Sequence, residues 1–280
     1  MPKKSPPNLP PVRKGAIRMA DIPAAVLNDL NAGRDETRTL VEWLAIDTRK
    51  LFEAAIADLR LRRQVKNFSG DVARIAGLGV GARSKQMGRL FHEMGVRLGR
   101  WEAIFKKLAT HRSDMVRSWA AYMAGARGSF TLAQRLTVAR RFAADSNMAV
   151  RECAWDSFRP FLAKDLKNGI RLLKSWARDK NENIRRCALE ATRPRGVWTA
   201  HLEALKEDPS PGLEILEPVR ADKSRYVQRA AGNWLNDASK SRPEWVRDLC
   251  RRWNRESRSS ETRWITDHAL RTLKKKKGTR

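Results

Sequence analysis

Val116-Arg117-Ser118-Trp119-Ala120 begins a series of three similar pentapeptides. The other two are Val150-Arg151-Glu152-Cys153-Ala154 and Ile184-Arg185-Arg186-Cys187-Ala188, each 34 residues after the one before. Looser copies begin at Val227 and Ile265, after further intervals of 43 and 38 residues. A period of this length is typical of paired helices that stack into a solenoid, because one pair cannot bury its apolar face alone. We therefore predict an all-α, curved body with a long concave face.

The charge of the chain indicates the class of partner. Of its 280 residues, 58 are Lys or Arg and 31 are Asp or Glu, so the formal net charge is +27. So many positive charges on one protein repel one another unless a polyanion is bound. Nucleic acid is the expected partner. An anionic membrane surface and a merely soluble basic protein are the alternatives. The sequence contains neither an apolar run long enough to span a membrane nor a secretory signal.

The cysteines indicate the compartment. Cys153, Cys187 and Cys250 lie far apart and lack the spacing of a metal site. Their odd number argues against a disulfide framework, so we expect a reducing cytoplasm. Cys153 and Cys187 share one position of adjacent repeats. We therefore predict that they are small apolar residues of the stacked core.

Composition divides the chain into a body and two tails. Residues 1–15 are rich in Pro and Lys and predict a disordered basic tail. Residues 16–273 carry the helical pattern of a single domain, and residues 274–280 form a second basic tail. Glycines cluster over residues 70–81, but no Gly-Lys-Ser/Thr follows them, so a linker is favoured over a phosphate loop. Prolines such as Pro160 are predicted to lie at helix starts or ends.

Two uses are open for the motif arginines Arg117, Arg151 and Arg185. A ladder of guanidinium groups could bind the phosphates of a duplex. The alternative, which we favour, is an ion pair with an acid of a nearby repeat, such as Asp145 or Asp179, because buried charges need partners. Arginines outside the motif are then better candidates for phosphate contacts: Arg140, Arg141, Arg193, Arg195, Arg251, Arg252 and Arg271.

Several strings of unusual composition occur over residues 184–273. In chain order they are Arg193-Pro194-Arg195-Gly196-Val197-Trp198, Ser224-Arg225-Tyr226-Val227, Gly232-Asn233-Trp234-Leu235-Asn236-Asp237-Ala238-Ser239-Lys240, Pro243-Glu244-Trp245-Val246, Glu261-Thr262-Arg263-Trp264-Ile265 and Ala269-Leu270-Arg271. Together they resemble the DNA alkylation repair glycosylases of the AlkC/AlkD superfamily. Leu30-Asn31-Ala32-Gly33 with Thr39-Leu40-Val41-Glu42 looks like the start of the same family. The resemblance spans about residues 16–273.

This resemblance implies an all-α, HEAT-like α-α superhelical solenoid that is C-shaped and grips double-stranded DNA with a basic concave face. It implies hydrolysis of the N-glycosidic bond of cationic N3- or N7-alkylated purines, without a metal, a nucleotide or another cofactor. A carboxylate can steady the oxocarbenium-like sugar and orient water, and indole faces add cation–π attraction. We also expect a bacterial, cytoplasmic, nucleoid-associated monomer that does not bind membranes.

The resemblance also implies site residues. Trp198 matches an aromatic wall of the family's site, and Asp237 matches an acidic residue. The family has a third carboxylate near an Arg-Pro-Phe string, and ungapped matching back from Arg159-Pro160-Phe161 puts it on Trp155. Three alternatives stay open there: Glu152 takes the role, Asp156 substitutes, or the indole of Trp155 does so. The residues expected to contact DNA are Arg193, Arg195, Trp155, Arg140, Arg141, Lys240 and Arg271.

The same residues have structural alternatives. Asp237 could cap a helix or pair with Arg195, Trp198 could be a core aromatic, and Glu152 could pair with Arg185 or Arg186. An alternative function is a non-catalytic solenoid that binds bent or branched DNA. A protein-binding scaffold is a third possibility, and the high positive charge argues against it.

Overall fold

The computed structural model describes residues 13–65, 68–196 and 199–275, and in these ranges the chain forms sixteen α-helices. The helices are α1 (Ala24–Asn31), α2 (Leu40–Ala45), α3 (Thr48–Asp58), α4 (Ser69–Ala76), α5 (Val80–Arg97), α6 (Trp101–Ala109), α7 (Asp114–Ala126), α8 (Leu132–Ala143), α9 (Met148–Lys164), α10 (Leu166–Leu173), α11 (Glu182–Thr192), α12 (Glu203–Glu207), α13 (Leu213–Leu216), α14 (Arg225–Ser239), α15 (Pro243–Glu256) and α16 (Ser260–Lys275). Short 3-10 helices lie between some of them, for example Trp176–Arg178.

Six helices form one continuous row. Along it, α5 packs on α7, α7 on α9, α9 on α11, α11 on α14, and α14 on α16. A second layer lies against this row: α6 and α15 each contact two consecutive row helices, and α8 contacts three. Each repeat therefore contributes one row helix and one helix or helical turn behind it. The solenoid predicted from the 34-residue period is confirmed.

The motif residues explain why the row helices stack closely. Their aliphatic and alanine side chains are at most 2% exposed in all five copies: Val116, Ala120, Val150, Ala154, Ile184, Ala188, Val227, Ala231, Ile265 and Ala269. Small alanines let helix backbones approach, while the aliphatic residues fill the space between neighbours. These residues belong to one apolar cluster that runs from Leu30 to Ala269.

The three cysteines are buried thiols, not disulfides. Burial raises the pKa of Cys153 and of Cys250 to about 12. Cys187 is 2% exposed and packs in the same apolar cluster. The prediction that Cys153 and Cys187 are core residues is confirmed.

Pro160 lies inside α9, so the prediction that it marks a helix start or end is wrong. The residue is exposed, which leaves room for its ring on the outside of the helix. Proline has no N–H, however, so the carbonyl of Asp156, four residues earlier, lacks its usual helical donor. The helix thus continues through Pro160, with one hydrogen bond fewer beside Asp156.

Arg13, within the predicted N-terminal tail of residues 1–15, contacts residues of the helical body. The Arg13 guanidinium donates to Glu42 at 2.5 Å and to Asp35 at 3.2 Å. Glu42 is fully buried, and a buried carboxylate needs such a partner. Residues 1–12 of the predicted N-terminal tail and residues 276–280 of the C-terminal tail lie outside the described residues. None of the described helices is both long and apolar enough to cross a bilayer.

Candidate active site

A cavity of about 830 Å³ opens on the helix row. Side chains of α7, α9 and α11 line one side, and residues 36–44 with the start of α5 line the other. Two large apolar residues of the lining, Leu40 on the second side and Met148 at the start of α9, are 50% and 48% exposed. Large apolar side chains left in solvent beside a cavity are typical of a binding site.

One position of the repeat projects into this cavity from four successive row helices. It lies six residues after the first residue of the motif, and it holds Tyr122, Asp156, Glu190 and Asn233. In the fifth copy the position holds Arg271, whose guanidinium donates to Oδ1 of Asn233 at 2.9 Å. We call these five residues the polar ladder. The stacking of the repeats brings them together, although they span 150 residues of sequence.

Asp156 is held by two donors. Its carboxylate is 7% exposed and accepts from the Tyr122 hydroxyl at 2.6 Å and from Nζ of Lys85 at 2.9 Å. Burial, with Cys153 and Asp156 nearby, raises the pKa of Tyr122 well above its usual range. The phenol therefore keeps its proton near neutral pH and can donate to the carboxylate.

Glu190 lies between two arginines of α11 and the loop after it. Its carboxylate, 6% exposed, contacts Arg186 at 3.4 Å and Arg193 at 3.1 Å. Burial opposes the charge on both guanidinium groups, but neighbouring carboxylates outweigh it. Glu152 and Glu190 raise the pKa of Arg186, and Glu190 and Asp237 raise that of Arg193. The carboxylate of Glu190 and the guanidinium groups of Arg186 and Arg193 therefore form a network of ion pairs in this part of the cavity.

All three candidates for the missing family carboxylate line the cavity. Glu152, whose side chain is 29% exposed, accepts from Arg186 at 2.6 Å and from Nε1 of Trp155 at 2.9 Å. The ion pair with Arg186 considered from the sequence is confirmed. Trp155 is 4% exposed, and Asp156 follows it on the same helix. Asp156 and Glu190 are the more deeply buried carboxylates of the cavity.

Asp237 is not one of the described residues that line the cavity. Its Oδ2 accepts from Nε and NH2 of Arg193 at 2.9 and 2.7 Å, and its Oδ1 accepts from Lys240 at 3.0 Å. Asp237 therefore holds Arg193, which does line the cavity. The partner considered from the sequence, Arg195, instead donates to the Ser241 hydroxyl at 2.7 Å.

Trp198 lies outside the described residues, but the backbone on either side of it is held by Arg159. That guanidinium is 1% exposed and donates to the carbonyls of Arg193 at 2.7 Å and Ala200 at 3.1 Å. It also donates to the carbonyl of Ala191 at 2.7 Å. Burial lowers the pKa of Arg159 to about 10. A single buried arginine thus fixes the chain where α11 ends.

The other residues predicted to contact DNA are not among the described residues that line the cavity. Arg140 pairs with Asp179, Arg141 donates to the Ala109 carbonyl, Lys240 pairs with Asp237, and Arg271 donates to Asn233 and to the His268 carbonyl. Arg251 and Arg252 pair with Asp248 and Glu217. Of the predicted DNA contacts, Arg193 and Trp155 line the cavity.

The predicted pairing of motif arginines with acids is confirmed for two repeats. Arg117 binds Asp145, and Arg185 binds Asp222. Arg151 departs from this pattern and lines the cavity. In the described parts of the chain, no three His, Cys, Asp or Glu side chains are grouped so as to hold a metal ion.

Sequence reasoning missed Glu190, Tyr122 and Lys85. The signal for the first two was present, because both occupy the repeat position that also holds Asp156. Reading the motif six residues beyond its first position would have found them. Lys85 lies on α5, before the first copy of the motif, so the repeat interval does not predict its place in the cavity.

Comparisons with known proteins agree with this architecture. The sequence model of a family described as DNA alkylation repair enzyme matches residues 49–273. The uncharacterized protein YhaZ of Bacillus subtilis strain 168 is 45% identical over 118 residues, which are 42% of this chain and 32% of that protein. The present chain thus matches about a third of its curated relative.

Two solved structures have a similar fold. Pseudomonas fluorescens alkylpurine DNA glycosylase AlkC, bound to DNA containing an abasic site analog, is 27% identical with a TM-score of 0.63. That match covers 78% of this chain and 60% of AlkC. AlkD2 of Streptococcus mutans is 22% identical with a TM-score of 0.57. That match covers 75% of this chain and 97% of AlkD2, and at this identity it shows a similar fold only. The predicted all-α, HEAT-like solenoid is confirmed.

Proposed function

The chain belongs to the DNA alkylation repair enzyme family, and on that premise we propose that it is a DNA glycosylase. Its substrate is a cationic N3- or N7-alkylated purine in duplex DNA, and its reaction is hydrolysis of the N-glycosidic bond. One observation carries the proposal: Asp156 and Glu190 extend from successive row helices into one cavity. The formal net charge of +27 supports a polyanionic substrate.

The reaction needs charge stabilisation more than proton transfer to the base. When the bond between C1′ and the purine nitrogen breaks, its electron pair moves to the base and neutralises the positive charge there. The sugar is left as an oxocarbenium-like cation, which nearby carboxylates stabilise. Water then adds to C1′ and releases a proton. We assign Asp156 and Glu190 to this stabilisation, since both are held in place by donors.

Other cavity residues have supporting roles in this proposal. Glu152 fixes Arg186 and the indole N–H of Trp155, so it orders the wall beside Asp156. Asp237 holds Arg193 at the opposite end. Trp198 is proposed as an aromatic wall that attracts the cationic base by a cation–π interaction.

The test is release of free base from a duplex treated with a methylating agent. We expect the wild type to release 3-methyladenine or 7-methylguanine. Asp156→Asn is expected to lose nearly all release and to keep its duplex affinity, and the same comparison with Asp237→Asn measures the role of that acid. Glu217→Gln is the matched control, because Glu217 also pairs with an arginine but lies away from the cavity. A folded wild type that releases no base overturns the proposal.

One observation favours a second candidate, a non-catalytic solenoid that binds bent or branched DNA. Each carboxylate that lines the cavity already has a basic partner among the described residues: Glu36 with Arg117, Glu152 with Arg186, Asp156 with Lys85, and Glu190 with Arg193. Such pairs can serve packing instead of chemistry. Tighter binding of a four-way junction than of a linear duplex, without base release, supports this candidate.

A further inference from the structure

The motif arginines of two repeats hold an acid in the same way. Nε and NH2 of Arg117 donate to the two oxygens of Asp145 at 2.8 and 3.0 Å. The same edge of Arg185 donates to the two oxygens of Asp222 at 2.6 and 2.9 Å. Two parallel N–H donors on two oxygens form the bidentate contact by which a guanidinium recognises carboxylates and phosphates.

The third nitrogen of these arginines also has a repeated role. NH1 of Arg117 donates to the carbonyls of His111 and Arg112, and NH1 of Arg185 donates to those of Asp179 and Lys180. These carbonyls lie six and five residues before each arginine. NH1 thus anchors the guanidinium to the loop before its own helix, and the Nε and NH2 edge is left to bind the anion.

Arg151 has the same anchor but no anion. Its NH1 donates to the carbonyls of Asp145 and Ser146 at 2.8 and 2.7 Å. Its Nε and NH2 both point to the Tyr226 hydroxyl, each at a long 3.4 Å. Among the described residues no carboxylate pairs with Arg151. A preformed bidentate donor therefore lies at the cavity without the anion that its two counterparts hold.

The acid expected for Arg151 is engaged elsewhere. By the repeat, that acid is Asp179, which corresponds to Asp145 and Asp222. Asp179 instead pairs with Arg140 of α8 and accepts from the backbone N–H of Asn181 at 2.8 Å. Arg151, which lines the cavity, therefore lacks the carboxylate that Arg117 and Arg185 hold.

Tyr226 completes a candidate anion site. Its ring is close to both Arg151 and Arg186, whose guanidinium carbons are 5.4 and 4.4 Å from the ring centroid. Arg186 is already bound to Glu152. Among the described residues the Tyr226 hydroxyl accepts hydrogen bonds from Arg151 alone, so its proton is available to an acceptor beside the Arg151 edge.

We infer that Arg151 and Tyr226 bind a backbone phosphate of the substrate strand at the mouth of the cavity. This inference rests on the proposed function only in taking DNA as the ligand. The two non-bridging oxygens of a phosphodiester match the Nε and NH2 edge of Arg151. A phosphate bound there can also accept a hydrogen bond from the Tyr226 hydroxyl. Binding there positions one nucleotide relative to Asp156, five residues further along α9.

The test is the salt dependence of binding to a duplex that contains a non-hydrolysable abasic analog. We expect Arg151→Gln to weaken binding about tenfold near 0.1 M salt, as for loss of one charge-assisted bond. The slope of log affinity against log salt is expected to fall in magnitude by about 0.9, the contribution of one phosphate contact. Tyr226→Phe keeps the ring, so it is expected to weaken binding less and to leave the slope unchanged.

The control is Arg185→Gln, whose bidentate edge already holds Asp222. It is expected to lower the melting temperature and to leave the slope unaltered. An unchanged slope for folded Arg151→Gln overturns the phosphate site. The phosphate site and the glycosylase proposal can fail separately. If Arg151→Gln has a reduced slope but the wild type releases no base, the phosphate site is supported and the glycosylase proposal is contradicted. If the wild type releases base but Arg151→Gln has an unchanged slope, the glycosylase proposal is supported and the phosphate site is contradicted.

Discussion

The Tyr122 hydroxyl donates to Oδ2 of Asp156 across 2.6 Å, and each residue occupies the same position of its own repeat. One repeat therefore orients the carboxylate of the next. Asp156 also has a second donor, Lys85 of α5. Three consecutive row helices thus contribute to the placement of a single acidic group.

Tyr122→Phe removes one of the two donors and keeps the ring. We expect base release in single turnover to slow by about tenfold, which corresponds to about 1.4 kcal/mol of transition-state stabilisation. The free energy of unfolding is expected to fall by about 1 kcal/mol for the lost hydrogen bond. In an Asp156→Asn background the same change should add little, and a full additive loss would contradict the proposed pairing.

Glu190→Gln tests the residue that the sequence did not single out. The amide keeps the shape and loses the charge between Arg186 and Arg193. Because the two guanidinium groups are then less well neutralised, we expect unfolding free energy to fall by about 3 kcal/mol or more. Base release from methylated duplex is expected to fall at least tenfold below that of Glu217→Gln. Equal rates for the two variants would remove Glu190 from the site.

Gly88→Ala probes how closely α5 and α7 approach beneath the polar ladder. A Cβ at residue 88 would lie 2.3 Å from Cβ of Tyr122 and 2.9 Å from the Trp119 carbonyl oxygen. We expect a loss of about 1–3 kcal/mol from the strain of overpacking, measured by chemical denaturation. Gly81→Ala is the control, because nothing lies within 4 Å of its Cβ. There we expect stability to be unchanged or higher by up to about 1 kcal/mol.

His111 makes the stability of the fold depend on pH. Its side chain is 11% exposed, and its Nδ1 accepts from the backbone N–H of Ser113 at 3.0 Å, next to the start of α7. Burial lowers the pKa of His111 below its ordinary value. The unfolded chain therefore binds the proton more readily than the folded one. The stabilisation is complete above about pH 6.5 and is lost as the pH falls from there through the folded pKa.

Melting temperatures at pH 7.5 and pH 5.0 check this prediction. His111→Asn should destabilise the protein more at the higher pH, by up to about 1.4 kcal/mol for each unit of pKa shift. His201→Asn is the control, since that side chain is 39% exposed. A destabilisation by His111→Asn that is the same at both pH values would contradict the assignment.

The sequence was sufficient to predict the all-α solenoid and the stacking of its repeats. Val116, Val150 and Ile184 recur at a fixed interval because each must meet the same neighbour in the next repeat, and a period is visible without coordinates. The pairing of Arg117 and Arg185 with acids followed from the same regularity. Pro160 was misplaced, because local propensity does not reveal that one side of a helix is open to solvent.

The cavity was only partly predictable. Glu152, Trp155 and Asp156 were identified because a family string lies next to them, whereas Glu190 has no such neighbour. Lys85 reaches Asp156 from 71 residues away, and residues 36–44 close the cavity from the beginning of the chain. Contacts of this range depend on the curvature and handedness of the stack, which a one-dimensional pattern does not encode.

The polar ladder separates two requirements that many enzymes must meet with the same residues. Stacking depends on the first and fifth residues of the motif, and the lining of the cavity depends on a different residue, two positions after the fifth. The five repeats carry a phenol, two acids, an amide and a guanidinium at that later position on the same stacked architecture. The stacked helices can therefore present different functional groups to the cavity at a single repeat position. We expect single substitutions at that position to change substrate preference while the helices keep their stacking.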